Sequence, residues 1–270
     1  MCSSDLLNPI ASQLSVMRTT LFGGLLANLR YNAARKLSRI RVFEVGRVFL
    51  RDPSVKDGPL EVAGLRQPMR IAAAACGPAL EEQWGTATRP VDLFDLKADV
   101  DSVAFPSATR FEAAEHPAFH PRRAARIRIE GREAGWIGEL HPRWQQKYEI
   151  NQSVVLFEVD ADLLQQVALP KLLVPSKYPL VTRDIALLVN ADIEVQAMLD
   201  AIGSEKPAIV REVRLFDLYQ GQNLPAGRKS LAFRVVMQDT ERTLTDAEAD
   251  LARQALVELW GRRFGATPRT

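Results

Sequence analysis

Cysteine is almost missing from this chain. Of 270 residues only Cys2 and Cys76 are cysteine, and no CxxC spacing occurs. That excludes a disulfide framework and a thiolate zinc site, and it fits a reducing compartment. Histidine is scarce as well. The three histidines each precede a proline, at His116-Pro117, His120-Pro121 and His141-Pro142. His116 and His120 have the i, i+4 spacing of a helical metal pair. A proline after each would break that helix, so structural turns are expected and no metal site. Charge of one sign is missing too, with 35 Lys+Arg against 33 Asp+Glu. Residues 171–270 hold 14 and 13 of these, close to neutral. Bulk charge therefore gives no reason to expect nucleic-acid binding, which would need a local patch or shape. No apolar run approaches the length of a membrane span. Met1 to Asn8 lacks the basic and apolar regions of a signal peptide, so a cytoplasmic chain with no membrane partner is expected.

Catalytic signatures are equally absent. There is no Walker A loop, no GxGxxG, no Gly-x-Ser-x-Gly elbow and no Cys/His pair. Gly131, Gly135 and Gly138 are spaced for a hairpin rather than a dinucleotide loop. Asp92, Asp95, Asp99 and Asp101 fall on one helical segment and read as a solvated face. What remains is an ordinary globular composition, 47% hydrophobic and 25% charged, able to bury a core in one large or two medium domains.

The chain opens abruptly on "MCSSDLLNPI", as if inside a domain. Leu21, Leu25, Leu29, Ala33 and Leu37 recur at i, i+4, with Phe22 and Leu26 widening the stripe, so a helix is predicted with Thr19 or Thr20 as its cap. Gly23 and Gly24 lie inside it at a cost of ~1 kcal/mol each, which fits either close approach of another backbone or a tolerated kink. A strand at 40–50 follows, then a loop around Pro53, Gly58 and Pro59. "MRIAAAACG" (69–77) reads as a buried strand, and 91–105 as a helix starting near Asp92. Residues 123–142 form a hairpin about Glu130-Gly131, with Ile127, Ile129 and Trp136 alternating. "PRWQQKYEI" is a short helix, and 153–167 a strand passing into a helix. Pro170, Pro175 and Pro179 mark a linker, giving domains at 1–170 and 182–270 around a linker at 171–181. Beyond it the order is strand 183–190, helix 194–205, strands 210–221 and 229–239, helix 245–264 and a short last strand. Thr245 and Glu248 spell a capping box and Gly265 a stop. This βαββαβ order is the ferredoxin-like module, which by itself gives no function.

Long stretches resemble one family. "NPIASQLSVMRTTLFGGLLANLRYNAARKLSRIRVFEVGRVF" is similar to the beta subunit of bacterial phenylalanyl-tRNA synthetase. So are "AEHPAFHPRRAARI", "GWIGELHPRWQQKYEI" and "SLAFRVVMQDTERTLTDAEAD". The resemblance implies an α+β chain: a class II synthetase-like antiparallel sheet module that does not catalyse, then a ferredoxin-like anticodon-binding domain. It implies an alpha2beta2 heterotetramer in which the alpha subunit holds the ATP, Mg2+ and phenylalanine site, this chain binding none of them alone. Active class II enzymes read Phe-Arg-x-Glu at the end of the first long strand, whereas Phe49-Leu50-Arg51-Asp52 stands here. Leucine cannot neutralise a phosphate, and a slip to Arg51 would put the side chain on the opposite face. The strand is therefore expected to serve packing and assembly, with Leu21, Gly23, Gly24, Leu25 and Leu29 at the alpha interface. The family's anticodon contacts fall on Ala186, Asp217, Tyr219 and Ser230, with Arg183, Lys229 and Arg234 near phosphates of tRNA(Phe). DNA is not an expected partner. The family's upstream accessory, editing and magnesium-associated regions are not in this sequence, so a shortened gene product is expected. Two other readings stay open: a stand-alone RNA-binding or regulatory protein derived from a synthetase, and an independent small-molecule enzyme.

Overall fold

The computed structural model describes residues 9–10, 15–165, 175–203 and 205–269. The chain divides into two units, Met1–Pro170 and Lys171–Thr270. Cys2 and residues 171–174 of the expected linker lie outside the described residues.

In the first unit, α1 (Phe22–Ala33) leads into β1 (Ile40–Arg47), followed by β2 (Leu50–Arg51), β3 (Leu65–Arg66) and β4 (Met69–Cys76). Then come α2 (Leu93–Ala104), β5 (Thr109–Ala113), β6 (Phe119–Ile129), β7 (Arg132–Leu140), α3 (Pro142–Lys147), β8 (Val154–Asp160) and α4 (Ala161–Gln165). Six strands form one antiparallel sheet in the order β1-β4-β8-β7-β6-β5, while β2 and β3 pair separately. The alanine run of β4 explains itself at the centre of this sheet. Ala72, Ala74 and Cys76 enter the core beneath α1, and Ala75 enters the core beneath α2. A strand covered on both faces reads as an unbroken apolar run, and small side chains let α1 and α4 come close to it.

β7 shows the same economy of space. A Cβ on Gly135 would stand 1.9 Å from the Glu158 carbonyl oxygen, and one on Gly138 would stand 2.5 Å from the Phe119 ring. Glu130 and Gly131 both have positive φ, the backbone of a two-residue hairpin turn. One expectation is corrected here. Trp136 does not share a face with Ile127 and Ile129: it stands opposite Arg126 and packs on the α1 side, while Ile137 joins the two isoleucines.

Helix α1 begins later than expected. Thr20 Oγ1 accepts from the Phe22 N–H at 3.2 Å, and Glu158 of β8 accepts from the Leu21 N–H at 2.6 Å. The helix ends at Ala33, so Leu37 lies beyond it and is exposed. The Asp92–Asp101 segment is not a passive solvated face. Asp92 and Asp95 form a capping box, Arg89 grips Asp95, Asp99 pairs with Arg41, and Asp101 accepts from Thr109. Carboxylates at a helix start satisfy its orphan N–H groups. Each histidine makes the same turn: Nδ1 accepts from the N–H two residues on, at 3.3 Å for His116 and His120 and 3.1 Å for His141.

The second unit runs β9 (Val181–Asn190), α5 (Val195–Ile202), β10 (Val210–Tyr219), β11 (Arg228–Met237), α6 (Asp246–Phe264) and β12 (Thr267–Pro268). Its sheet order is β10-β11-β9-β12. Ile185, Leu187, Phe233 and Val235 pack against Met198 of α5 and Leu256 and Trp260 of α6 in one core. Trp260 Nε1 donates to the Met198 carbonyl at 2.9 Å, so the buried indole is satisfied. The Thr245–Glu248 capping box is present, and Gly265 takes the left-handed conformation at the stop. Both helices serve the same core, so among the described residues of this unit no helix lies over the other sheet face.

Candidate nucleic-acid interface

Alternation along the strands decides which side chains reach that helix-free face. On β11, Phe233, Val235 and Met237 point to the core, which sends Ser230, Ala232 and Arg234 outward. The register sets Asp217, Ala232 and Ala186 in one row across β10, β11 and β9, and Tyr219, Ser230 and Leu188 in the next. At the usual strand spacing a row of three spans about 10 Å. The expected residues Ala186, Asp217, Tyr219 and Ser230 are thus brought together on one surface.

A β-bulge makes this possible. The register shifts between Leu215 and Asp217, leaving Phe216 as the extra residue. Before the shift the even-numbered residue Arg214 pairs with Arg234 on the outer face, and after it Asp217 and Tyr219 do so. A bulge re-aims the residues that follow it. Phe216 itself is exposed, with the Arg234 guanidinium 5.0 Å from its ring centre.

The expected phosphate contacts divide. Arg234 is on the outer face and binds Asp184 through two N–H groups at 2.8 Å, which holds the Asp184 carboxyl below the usual range. Arg183 and Lys229 are on the core side. Arg183 donates to Asp250 and Asp246 of α6 at 2.9 and 2.6 Å. Lys229 is buried and donates to the carbonyls of Ala191 and Ile193. Both follow from strand parity: Val189, opposite Lys229, and Val235, opposite Arg183, are core residues.

One residue of the face had no signal in the sequence reading. Arg269 follows β12, and its N–H donates to the Ala186 carbonyl at 2.9 Å. Its side chain crosses the sheet, with Nη1 3.2 Å from Ser230 Oγ and the guanidinium carbon 5.4 Å from the Tyr219 ring centre. It meets three of the four expected residues, Ala186, Ser230 and Tyr219. A short last strand after the helix at 245–264 is expected from the sequence, but its place beside β9, which brings Arg269 to this face, comes only from the register. Ser230 itself is only 4% exposed.

The first unit offers a different surface. A cleft of about 770 Å³ is lined by Leu50, Arg70, His116, Trp136, Glu158 and neighbours. Leu50 faces it, and Arg51 is not among the lining residues. Burial pushes the His116 imidazole towards the neutral form. Leu21, Leu25 and Leu29, expected at a subunit interface, are 0%, 3% and 0% exposed in the chain's own core. The outer side of α1 carries Gly23, Gly24, Ala27 and Asn28 instead. On edge strand β1, Phe43 and Val45 are 76% and 53% exposed. Among the described residues, no helix is long and apolar enough to cross a membrane.

The second unit is thus a ferredoxin-like module with helices on one sheet face and a polar and aromatic row on the other. Residues 176–269 match the family model described as "Ferredoxin-fold anticodon binding domain". Residues 3–161 match "Phenylalanyl tRNA synthetase beta chain CLM domain", and the chain belongs to this phenylalanyl-tRNA synthetase beta chain family. It is 53% identical over 273 residues to the phenylalanine–tRNA ligase beta subunit of Burkholderia pseudomallei (strain 1710b), covering 98% of this chain and 34% of that protein. The Burkholderia lata beta subunit is 54% identical over 266 residues, covering 95% and 33%. That of Dechloromonas aromatica (strain RCB) is 47% identical over 264, covering 98% and 33%. The chain spans about a third of the length of these curated relatives.

Proposed function

We propose that this chain supplies the part of a phenylalanine–tRNA ligase beta subunit that joins the alpha subunit and holds the anticodon region of tRNA(Phe). It thereby supports ATP-dependent attachment of phenylalanine without performing the chemistry. The observation that carries this reading is the helix-free face. Tyr219 offers a stacking platform for an unpaired base, and Asp217 beside it accepts hydrogen bonds from a base edge. Arg214 and Arg269 supply cations locally, Arg234 being paired with Asp184, although the chain as a whole is close to neutral. Arg183 and Lys229 have no part in it, being committed on the core side.

ATP has no ready phosphate grip here. Leu50 stands where the resemblance puts the gripping arginine, and of the arginines lining the cleft Arg70 pairs with Asp160 and Arg143 donates to the Pro117 carbonyl. Among the described residues no group of three His, Cys, Asp or Glu is placed to share a metal ion. We assign ATP, Mg2+ and phenylalanine to the alpha subunit. The alpha subunit docks, in this reading, on the outer side of α1 and the edge of β1, within an alpha2beta2 assembly. Gly23 and Gly24 fit that role better than the leucines. A Cβ on Gly23 meets nothing nearer than 3.8 Å, and one on Gly24 would stand 3.1 Å from a Glu44 carboxylate oxygen. Their own chain does not require glycine there. The exposed Phe43 and Val45 also argue against a stand-alone RNA-binding protein, since an apolar sheet edge invites a partner.

The test is tRNA binding by the full-length beta chain assembled with alpha. Replacing the anticodon of tRNA(Phe) is expected to weaken binding at least tenfold. Equal affinity for native and anticodon-swapped tRNA defeats the proposal.

A further inference from the structure

We infer that Arg269 is the residue that grips the RNA backbone at this face, and that Ser230 acts through it. The inference rests on the reading that tRNA binds the helix-free sheet surface. Three observations lead there. Ser230 is buried at 4% exposure, and its hydroxyl accepts from Arg269 Nη1 at 3.2 Å. A nucleotide arriving on the face meets the arginine first. The guanidinium stands beside the Tyr219 ring, 5.4 Å from its centre, where the phosphate next to a base stacked on that ring would come. Its backbone is fixed by β12 pairing with β9 and by the Arg269 N–H bond to the Ala186 carbonyl at 2.9 Å.

The other cations of the face are placed differently. Arg214 lies before the bulge, opposite Arg234 and away from the Tyr219–Ser230 row. Arg234 is neutralised by a two-point bond to Asp184, and Arg228 donates to Asn190, the Leu188 carbonyl and Thr267. Arg269 is exposed and donates one side-chain N–H to Ser230. A guanidinium carries five N–H donors in a planar fork, so most remain for phosphate oxygens, the acceptors that fork matches. Tyr219 is set in the same place from the other end. A Cβ on Gly221 would come within 2.3 Å of the Tyr219 hydroxyl, so the ring lies against the loop after β10. Ring, serine and arginine form a seat assembled before RNA arrives, which lowers the ordering cost of binding.

The experiment uses full-length beta chain assembled with alpha, carrying Tyr219→Ala, Arg269→Ala, Arg269→Lys, Ser230→Ala, or Ser230→Ala with Arg269→Ala. Affinity for tRNA(Phe) is measured across a potassium chloride series, alongside kcat and the KM for tRNA. Arg269→Ala is expected to weaken binding about tenfold, the scale of a charged hydrogen bond. KM should rise with kcat nearly unchanged. The slope of log affinity against log salt should flatten by about 0.7, one phosphate on a single strand. Arg269→Lys should keep that slope, since the charge remains, but recover only part of the affinity, since an ammonium lacks the paired fork. Ser230→Ala should cost about threefold alone and nothing further in the Arg269→Ala background. If Tyr219→Ala weakens binding and Arg269→Ala does not, the role of Arg269 is overturned while the face stands. If neither changes affinity, the face itself is wrong. A loss in Arg269→Ala with unchanged salt slope and a lower unfolding temperature makes Arg269 merely structural and also overturns the inference.

Discussion

The two sheets of this protein spend their faces differently. The six-stranded sheet buries both, with one core beneath α1 and another beneath α2. Its exposed apolar surface is left at the β1 edge, where Phe43 and Val45 sit. The four-stranded sheet buries one face and leaves the other polar, aromatic and cationic. A sheet covered on both sides has its edge left for a partner. A sheet covered on one side has a whole surface left for a ligand.

The sharpest way to break this comparison is at the edge. In the full-length chain, Phe43→Asp is expected to abolish assembly with alpha, lowering affinity at least a hundredfold, as loss of a buried aromatic anchor does. Sedimentation of the mixed subunits checks it. The ferredoxin-like unit should still unfold at its usual temperature. Next in size is Gly135→Ala. The added Cβ would press on the Glu158 carbonyl, and overpacking of this kind costs about 1–3 kcal/mol. Calorimetry should show the first unit melting earlier and the second unmoved.

A smaller effect separates chain stability from assembly. Gly24→Ala should stabilise α1 by about 1 kcal/mol through helix propensity alone, with Glu44 shifting slightly to make room. The same change should weaken association with alpha. A rise in both quantities would remove Gly24 from the interface. The smallest effect is expected at the start of α6. Arg242 and the Thr245 cap hold Glu248 at about 2, below its ordinary 4.5. A depressed carboxylate contributes stability that is full above its unfolded value and lost as pH falls towards its folded one. The second unit should therefore weaken between pH 4.5 and about 2, and Glu248→Gln should flatten that dependence in acid-unfolding curves. The contribution is modest because the pair is exposed.

Much of the fold was legible because period and punctuation agree along the chain. The βαββαβ order, the Thr245–Glu248 box and the Gly265 stop follow from local chemistry, and the structure reproduces them. The class II-like module with a leucine facing the cleft was legible through resemblance. What escaped is what depends on parity and distance. Arg183 and Lys229 are basic residues on a strand, and only register reveals that they face α6 and the core. Leu21, Leu25 and Leu29 form an apolar stripe, and a stripe does not say whether its own sheet or another subunit covers it. Trp136 would share a face with Ile127 and Ile129 in an unbroken register, but the shift between Ile127 and Arg128 leaves Ala134 as an extra residue and turns Trp136 to the α1 side. Arg269 acts across three strands, so nothing near it in sequence announces its neighbours.

The bulge at Phe216 has one more consequence. A strand is a two-letter code, inside and outside, and the bulge is a single-step phase change in that code. Everything in β10 after Phe216 is written in the opposite phase from the Glu212–Leu215 stretch just before it. Anyone transplanting the Asp217–Tyr219 row to another sheet must carry the odd residue along, because without it the same letters would spell a core. The surface that meets a ligand is thus fixed less by which residues are present than by whether their number is odd or even.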